Sequence, residues 1–320
     1  MHQKITSLLA ALLAVVLLCA CGGQPAQKPE PPEAPEDAPY DFTLDYHRCA
    51  PLVERQIGSD LVAAARLVID AFLAGETTVT LPEGDYGGNP GNDLGYALYS
   101  MCPAFGAVTD YDDNHFDRAA RTVTWVYTQT PEQVRQVLAS LEQTTGDCMS
   151  RLRRGDGETA RALLLYRALT EQAAYDYDVS GSYAALVLHS GICYSFAQAL
   201  AFLYTQAGLD CAAVTGDGAT GFHMWLMAAI DGKWYYFDPT WDAGGGWYYF
   251  GMTAEDRAAW AGKFTGGALL GQDVTTLADL SDARFSPVNG RWWADMTLDR
   301  QAGQAVFTGG DGETLSLPLS

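Results

Sequence analysis

One stretch of the chain, residues 191–242, constrains the fold more than any other. Within it, two runs rich in aromatic and aliphatic residues, 222–230 and 233–241, flank the dipeptide Asp231-Gly232. This dipeptide between strand-like runs is typical of a two-residue β-hairpin turn. The stretch therefore predicts an antiparallel hairpin whose register is fixed by its turn.

The register of this hairpin brings particular side chains together. Side chains alternate along a strand and residues on facing strands share a face, so His223, Trp225 and Asp238 are expected on one side. His223 and Asp238 are then diagonal neighbours. Pro239 cannot donate a hydrogen bond to the ladder, which places Asp238 near a strand end. The pattern predicts an imidazole beside a carboxylate.

The residues before the hairpin supply a nucleophile. Residues 193–207 have apolar side chains at helical spacing, and a glycine follows them as a stop signal. Gly191 allows a sharp turn into this helix, so Cys193 lies in its first turn. Free N–H groups and the helix dipole favour a thiolate there and can also hold an oxyanion. With His223 and Asp238, Cys193 completes the composition of a thiol triad.

Three motifs resemble a known family. The order Cys, His, Asp, with C-x-x-F-A on a helix, H-x-W on a strand and D-P-T-W-D after it, resembles the transglutaminase-like superfamily of papain-type cysteine enzymes, and its bacterial secreted and lipoprotein members in particular. The likeness is clear over residues 158–250 and weaker before them. It implies an α+β, papain-like core in which the helix carrying Cys193 packs on an antiparallel sheet carrying His223 and Asp238, with an N-terminal α+β subdomain.

The resemblance implies a role for each residue of the triad. Cys193 is the nucleophile, His223 the base and Asp238 the residue that orients the imidazole. We predict that the backbone N–H of Cys193 and a second donor, for which Tyr183 is the candidate, hold the oxyanion, with Trp225 as an accessory residue. The expected chemistry is acyl transfer on a peptide or protein amide.

Two departures from the family pattern leave the substrate open. Many relatives have Asn where this chain has Leu226, and Gln-Gly where it has Tyr194-Ser195. We favour hydrolysis, by a protease or amidase, over amine crosslinking because a tethered enzyme meets water far more often than a lysine. The alternative is a catalytically inactive surface-binding lipoprotein. A cell-wall amidase of another papain-like group fits less well, since those usually have an Asp-Cys-Ser-Gly-like helix start.

The N-terminus predicts export and anchoring. Residues 1–20 contain Lys4 and then an apolar run placed as in a signal peptide. The end of this run resembles the bacterial lipobox, with Cys21 as the acylated residue; a simple cleaved signal peptide is the competing interpretation. Residues 21–40 are rich in Pro, Glu and Ala, a composition that predicts an extended, disordered tether. We therefore expect a lipid-anchored protein on the extracytoplasmic face of the cell membrane.

The rest of the chain is predicted as three parts. Residues 41–150 form the N-terminal subdomain, 151–262 the catalytic core and 263–320 a β-rich appendage. Outside the hairpin and its preceding helix we predict four further helices: one with Ser59 as N-cap, one at 94–101, one begun by Thr130-Pro131 with Gln133 in a capping box, and one at 158–175. We also predict a loop at 84–93. The predicted strands are 77–81, 121–129, 247–250, 291–296 and 304–308.

Charge and cysteine content narrow the partners. A formal net charge of −20 repels nucleic acid and anionic bilayers, so a membrane link must come from the lipid on Cys21. After processing, an odd number of cysteines remains, which fits one free thiol beside possible pairs outside the cytosol. These cysteines are Cys49, Cys102, Cys148, Cys193 and Cys211. A buried structural role is expected for Cys211.

Metal and cofactor motifs fit poorly. Residues 110–114 begin like a calcium loop, but His115 stands where that loop needs Gly, and Arg121 where it needs Glu. A loop of solvated acids is the better interpretation. The sequence has no C-x-x-C, no H-E-x-x-H and no phosphate loop, so we predict an enzyme without a cofactor or metal.

Overall fold

The computed structural model describes residues 37–218, 221–260 and 265–320. The helices are α1 (Pro51–Ile57), α2 (Ser59–Leu73), α3 (Pro90–Met101), α4 (Pro103–Val108), α5 (Pro131–Met149), α6 (Glu158–Thr170), α7 (Cys193–Gln206) and α8 (Ala254–Trp260). A π-helix spans Ala184–Leu188 and a 3₁₀ helix spans Thr275–Leu277. The strands are β1 (Thr78–Thr80), β2 (His115–Asp117), β3 (Thr122–Thr124), β4 (Ala174–Tyr175), β5 (Ser190–Gly191), β6 (Cys211–Gly218), β7 (Gly221–Ile230), β8 (Lys233–Phe237), β9 (Thr265–Leu269), β10 (Gln272–Asp273), β11 (Asp295–Asp299), β12 (Gln304–Thr308) and β13 (Thr314–Pro318).

A five-stranded antiparallel sheet forms the centre of the fold, in the strand order β10, β9, β6, β7, β8. Helix α7 packs across β6 and β7, and α6 packs against α7. Every residue from Ser195 to Gln206 in α7 is buried, as expected for a helix that is covered on all sides. The predicted α+β core, with the cysteine-bearing helix on an antiparallel sheet, is confirmed.

The β7–β8 hairpin has the register that the sequence predicts. Asp231 and Gly232 have φ angles of 52° and 76°, the left-handed pair that a type I′ turn requires. Strand β8 ends at Phe237, one residue before Asp238 and two before Pro239. The hairpin therefore delivers Asp238 just beyond the last paired position, beside the extended end of β7.

The N-terminal half confirms one predicted cap and corrects another. Thr130 and Gln133 form the predicted capping box at the start of α5. Ser59, in contrast, is the first residue of α2, and Gly58 holds the cap position. Gly58 has a φ of 88°, which lets α1 end and α2 begin without a linker. The chain turns at Gly58, so the Ser59 side chain has no capping role.

Two other N-terminal elements differ in length from the prediction. The strand predicted at 121–129 is β3 alone, because its partners β1 and β2 are three residues long. Beyond it, Trp125 is buried and Tyr127 makes an isolated bridge to Thr109. The loop predicted at 84–93 ends early, since α3 begins at Pro90, a residue suited to the first helical position.

The helix predicted at 158–175 ends at Thr170. Residues 174 and 175 instead form β4, which pairs in parallel with β5 so that Tyr175 lies beside Gly191. This pairing joins positions that are distant in sequence, and no local pattern indicates it. The correction brings Tyr175 close to the start of α7.

Residues 247–250, predicted as a strand, form a turn. The backbone N–H groups of Tyr248 and Tyr249 donate to the carboxylate of Asp242, each at 2.9 Å. Because a side chain satisfies these groups, they are not available for a strand ladder. The turn folds back over the residues that follow β8.

The C-terminal tail forms the antiparallel sheet β11–β12–β13. The predicted strand 304–308 is confirmed, whereas the strand predicted at 291–296 begins at 295. Phe307 of this sheet packs edge-on against Trp247 at 5.3 Å between ring centroids. Arg300 pairs with buried Asp156 at 2.7 Å. Packing therefore crosses the predicted boundary at residue 262, and the domain limits stay predictions.

The predicted signal peptide and the acylation site Cys21 lie outside the described residues. Ala38 and Tyr40, at the end of the predicted tether, bond to the backbone of Arg154 and Leu152, so ordered structure begins before residue 41. Within the three described ranges, no helix combines the length and apolar character needed to cross a bilayer.

Candidate active site

The thiol of Cys193 lies at the tip of α7. Ile192 is the cap residue, and its backbone N–H donates to the Ser195 hydroxyl at 3.3 Å. A β-carbon on Gly191 would come within 2.5 Å of the Ser195 β-carbon. Glycine is thus required for the close approach that turns the chain into α7. The turn leaves the Cys193 side chain partly exposed at the helix N-terminus.

His223 and Asp238 meet at the open end of the hairpin. His223 Nε2 lies 2.7 Å from Asp238 Oδ2. The Asp238 side chain is fully buried and that of His223 is only 10% exposed. Because the acid holds Nε2, the other ring nitrogen, Nδ1, is left to face the thiol.

The thiol and the imidazole shift each other's protonation. Burial alone would raise the pKa of the Cys193 thiol, but hydrogen bonds with His223 and with the backbone of Met224 and Tyr194 outweigh it and lower the pKa. Burial opposes the charge on His223 as well, yet its bonds to Asp238 and Cys193 raise its pKa from 6.5 to about 9. Each group therefore favours the charged form of the other, the thiolate beside the imidazolium.

The other described cysteines behave in the opposite way. Burial raises the pKa of Cys49, Cys102 and Cys211 to about 12 and that of Cys148 to about 11. All five described cysteines are free thiols. Cys211 is fully buried beside the Ala201 carbonyl, at 3.4 Å, in the structural position that the sequence predicts. Among these five, Cys193 has the one lowered thiol pKa.

Two tryptophans pack around the His223 ring. Trp225, predicted as accessory, is fully buried and nearly parallel to the imidazole at 6.0 Å between centroids. Trp241 lies at 5.7 Å and is partly exposed. The Arg257 guanidinium lies over the Trp225 ring, 3.6 Å from its centroid. These contacts restrict the imidazole to one orientation.

Arg257 also balances charge behind the site. Its side chain is buried, and burial lowers its pKa to about 10 while attraction to Asp238 opposes that shift. A buried cation near a buried carboxylate reduces the cost of keeping the carboxylate ionised. The sequence reasoning did not identify Arg257, which follows Asp238 by 19 positions on a separate helix.

A second buried acid, Asp242, fixes the loop after β8. It accepts hydrogen bonds from the Tyr166 hydroxyl at 2.6 Å and from the backbone of Tyr248 and Tyr249. Burial raises the pKa of Asp242 from 3.8 to about 7 despite these bonds. The loop anchored in this way carries Trp241 against His223. The sequence analysis gave Asp242 no role, although this residue ends the D-P-T-W-D motif.

A cleft of about 1040 Å³ reaches the start of α7, although Cys193, His223 and Asp238 are not among its lining residues. Its wall includes Tyr194 and Met224, the residues that follow Cys193 and His223, and it includes Tyr183. Further tyrosines come from the N-terminal half; they are Tyr96, Tyr99 and Tyr111. Tyr183, predicted as an oxyanion donor, is thus a wall residue of this cleft, and Tyr175 pairs with Gly191, two residues before Cys193.

The two departures from the family pattern have structural roles. Leu226 is fully buried and faces Phe237 across the hairpin, so an apolar side chain suits its position. Tyr194 lines the cleft and Ser195 caps the start of α7. Neither displaces a member of the triad. In the described part of the chain, no three His, Cys, Asp or Glu side chains group as a metal site.

The comparisons with known proteins give one family match and two distant solved structures. Residues 149–239 match the sequence model of the transglutaminase-like superfamily, Transglut_core. A solved structure described as a TGase shares 15% identity, with a TM-score of 0.29, over 35% of this chain and 34% of that chain. A second, described as "a Putative Cysteine Protease from Cytophaga hutchinsonii", shares 14% identity, with a TM-score of 0.27, over 37% of this chain and 50% of that chain.

The chain thus spans about a third of the length of the TGase and half of the length of the second protein. A search among curated proteins found no match. The matched segment contains Cys193, His223 and Asp238, the three residues that the fold brings together. Residues 149–239 are therefore similar to the core of the transglutaminase-like superfamily.

Proposed function

We propose that this protein is a cysteine enzyme that transfers the acyl group of a peptide or protein amide, with water as the usual acceptor. One observation carries the proposal. Cys193 lies at a helix N-terminus beside His223, whose Nε2 is 2.7 Å from the buried carboxylate of Asp238. Among the described cysteines, Cys193 is the one whose thiol pKa is lowered.

The chemistry follows from these positions. The Cys193 thiolate adds to the amide carbon, and His223 gives its proton to the departing amine. Asp238 stabilises the imidazolium and fixes its orientation. Water, deprotonated by the neutral imidazole, then attacks the thioester and releases the acid. Each proton taken by His223 is returned within the cycle.

Hydrolysis is favoured by the exposure of the site. Phe222, next to His223 on β7, is 72% exposed, and Trp241 beside the imidazole is partly open to solvent. Water therefore reaches the region of the thioester, whereas crosslinking requires an amine to compete with it. Amine transfer remains the second outcome of the same acyl-enzyme.

The cleft supports a neutral, partly aromatic substrate. Five tyrosines line it, Asp178 is the one lining residue with an acidic side chain, and none of the lining residues is Lys or Arg. Such a surface favours apolar and aromatic groups with a few polar contacts over strongly charged ones. We propose that it binds side chains of the polypeptide substrate next to the reacting amide.

The location of the enzyme rests on its N-terminal sequence. We propose that Cys21 is acylated and that the protein acts on the extracytoplasmic face of the membrane on polypeptides of the cell surface. Labelling with a radioactive or alkyne-bearing palmitate, followed by gel analysis, tests this step. Incorporation into the full chain and its loss in Cys21→Ala are expected; equal labelling of both would refute the anchor site.

Product analysis tests the activity. Unfolded casein is incubated with the protein with and without a fluorescent primary amine, and the peptides are analysed by mass spectrometry. We expect cleavage or side-chain deamidation that is lost in Cys193→Ala, with amine adducts as minor products. Dominant adducts would establish a crosslinking enzyme instead.

The non-catalytic binding protein is the rival outcome. It predicts no product difference between the wild type and Cys193→Ala on any polypeptide offered. It also predicts that Cys193 has no excess reactivity over the other thiols. Both results together would replace the enzyme by a binding protein.

A further inference from the structure

A buried side-chain amide on α7 borders the cleft with one of its two ends unpartnered. Gln198 follows Cys193 by five positions on α7, lines the cleft and is only 1% exposed. Its Oε1 accepts a hydrogen bond from the Ser100 hydroxyl at 2.8 Å. Its Nε2 is buried and has no hydrogen-bond partner among the described residues. Because a buried donor without an acceptor costs free energy, this amide is suited to a bound group that supplies one.

The contact with Ser100 orients the amide. Ser100 lies on α3 and is not a lining residue of the cleft, whereas Gln198 is. The Oε1 end is therefore held towards α3, and the Nε2 end is the donor left for a group in the cleft. Tyr194 lies four positions before Gln198 and also lines the cleft, so the two share one face of α7. The cleft thus follows this face from the first turn of the helix.

Other polar side chains of the wall have partners within the protein. The Tyr96 hydroxyl donates to the Ala213 carbonyl at 3.0 Å. The Tyr99 hydroxyl accepts from the Asn114 amide at 3.2 Å. The side-chain amide of a third lining residue, Gln129, donates to a backbone carbonyl at 3.4 Å. These bonds hold the wall in place without a ligand, whereas the Gln198 donor still needs an acceptor.

The surroundings of Gln198 favour an aromatic group that carries a neutral oxygen. Since no Lys or Arg lines the cleft, a carboxylate bound there would have no counter-charge. Burial raises the pKa of Tyr194, so its phenol is uncharged around neutral pH. The five lining tyrosines offer ring surfaces on which another aromatic ring packs well. A phenol combines such a ring with an acceptor for Nε2.

We propose that Gln198 is a specificity-determining residue whose Nε2 donates a hydrogen bond to the phenolic oxygen of a tyrosine side chain of the substrate. This inference rests on the proposed function. Gln198 lies about 7.5 Å along α7 from Cys193, at about 1.5 Å per residue, and an extended polypeptide covers about 3.3–3.6 Å per residue. The tyrosine therefore lies within about two residues of the amide that reacts at Cys193.

Two ligands that differ by one oxygen test the proposal. The dissociation constants of N-acetyl-L-tyrosinamide and N-acetyl-L-phenylalaninamide are measured by NMR titration of the full chain. Cys193→Ala is present throughout to prevent reaction, alone or combined with Gln198→Met or with the control Gln129→Met. Methionine has nearly the length of glutamine but no donor. Gln129 lines the same cleft, yet its amide nitrogen already has a partner.

We expect the tyrosine ligand to bind about tenfold more tightly than the phenylalanine ligand, because the latter leaves the buried donor without an acceptor. Gln198→Met should remove this preference and Gln129→Met should keep it. Ser100→Ala, which releases the Oε1 end of the amide, should reduce the preference; it replaces Gln198→Met if that variant does not unfold cooperatively in a thermal scan.

Equal affinities for the two ligands, no binding of either, or a preference that survives Gln198→Met would overturn the role of Gln198. Equal affinities would also show that the Nε2 acceptor is a water molecule rather than a substrate group. These outcomes leave the proposed function standing if the wild type cleaves or deamidates casein. A tyrosine preference that depends on Gln198, in a chain whose Cys193 produces no change in casein, would instead confirm the hydrogen bond and refute the proposed function.

Discussion

Replacing Asp238 with asparagine removes the charge beside His223 while keeping nearly the same shape. In the folded protein the pKa of His223 rises from 6.5 to about 9 against the effect of burial, through its bonds to Asp238 and Cys193. At about 1.4 kcal/mol per pKa unit, this difference amounts to roughly 3 kcal/mol in favour of the imidazolium. Asp238 provides the larger part of this stabilisation, because it is the first partner to oppose burial.

The same substitution acts on the thiol through the imidazole. The Cys193 thiolate is stable above its lowered pKa and gains most from His223 below pH 9, where the ring is charged. Without the Asp238 charge the ring is neutral near pH 7, so the thiol pKa rises. A nearby opposite charge typically changes a pKa by about 1–3 units, which predicts roughly a tenfold or larger fall in Cys193 alkylation at pH 7.

The assay is the pH profile of iodoacetamide alkylation at Cys193, followed by peptide mass spectrometry. Asp238→Asn should move the rising limb of the profile to higher pH, with the rates converging at high pH. Asp217→Asn is the matched control, because Asp217 pairs with Phe222 beside the site but is exposed, and it should leave the profile unchanged. Superimposable wild-type and Asp238→Asn profiles would refute the charge coupling, provided that both proteins unfold cooperatively in a thermal scan.

Three further predictions concern the framework of the site. Gly191→Ala should lower the free energy of unfolding by about 1–3 kcal/mol in urea titrations, because the added β-carbon would lie 2.5 Å from that of Ser195. The control Gly146→Ala, with open space around its β-carbon, should be neutral or slightly stabilising. Equal effects of the two substitutions would contradict the packing argument. Burial raises the pKa of Asp242 to about 7, so the folded state holds a proton that the unfolded chain releases, and this contribution to stability is lost as pH rises from about 4 to 7. Urea titrations at pH 5 and pH 8 should therefore show a smaller pH difference for Asp242→Asn than for the wild type, and an unchanged difference would refute it. Arg257→Gln should destabilise the protein by about 3 kcal/mol and slow Cys193 alkylation, because Asp238 loses a buried counter-charge. A fully stable variant with a wild-type rate of alkylation would show that Arg257 does not stabilise the Asp238 carboxylate.

Local sequence signals were sufficient for the His223–Asp238 pair and for the position of Cys193 at the start of α7, whereas the packing of α7 on the sheet brings the two together. The Asp231-Gly232 turn fixes the β7–β8 register, and the two-residue period of strands then places His223 and Asp238 together. Gly191 similarly marks the turn that sets Cys193 at the start of α7. Both arguments need contacts only between residues that are close in sequence.

The features that the sequence reasoning missed depend on distant contacts. Tyr175 looked helical because its helical pattern continues from α6, yet its strand partner Gly191 lies 16 positions away. The aromatic run 247–250 looked like a strand, but Asp242 takes up its backbone N–H groups and Tyr166, 76 positions earlier, completes that anchor. Such pairings follow from the packing of the whole fold, which periodicity does not encode.

Competitive labelling of the described cysteines tests the central claim most directly. The folded full chain is treated at pH 7 with substoichiometric iodoacetamide, and the modified fraction of each cysteine is determined by mass spectrometry. The lowered thiol pKa of Cys193 and the raised values at Cys49, Cys102, Cys148 and Cys211 predict that Cys193 carries nearly all of the label. His223→Ala should remove this preference. Labelling of Cys193 no faster than partly exposed Cys49, or a preference that survives His223→Ala, would contradict the thiolate–imidazolium pair on which the account depends.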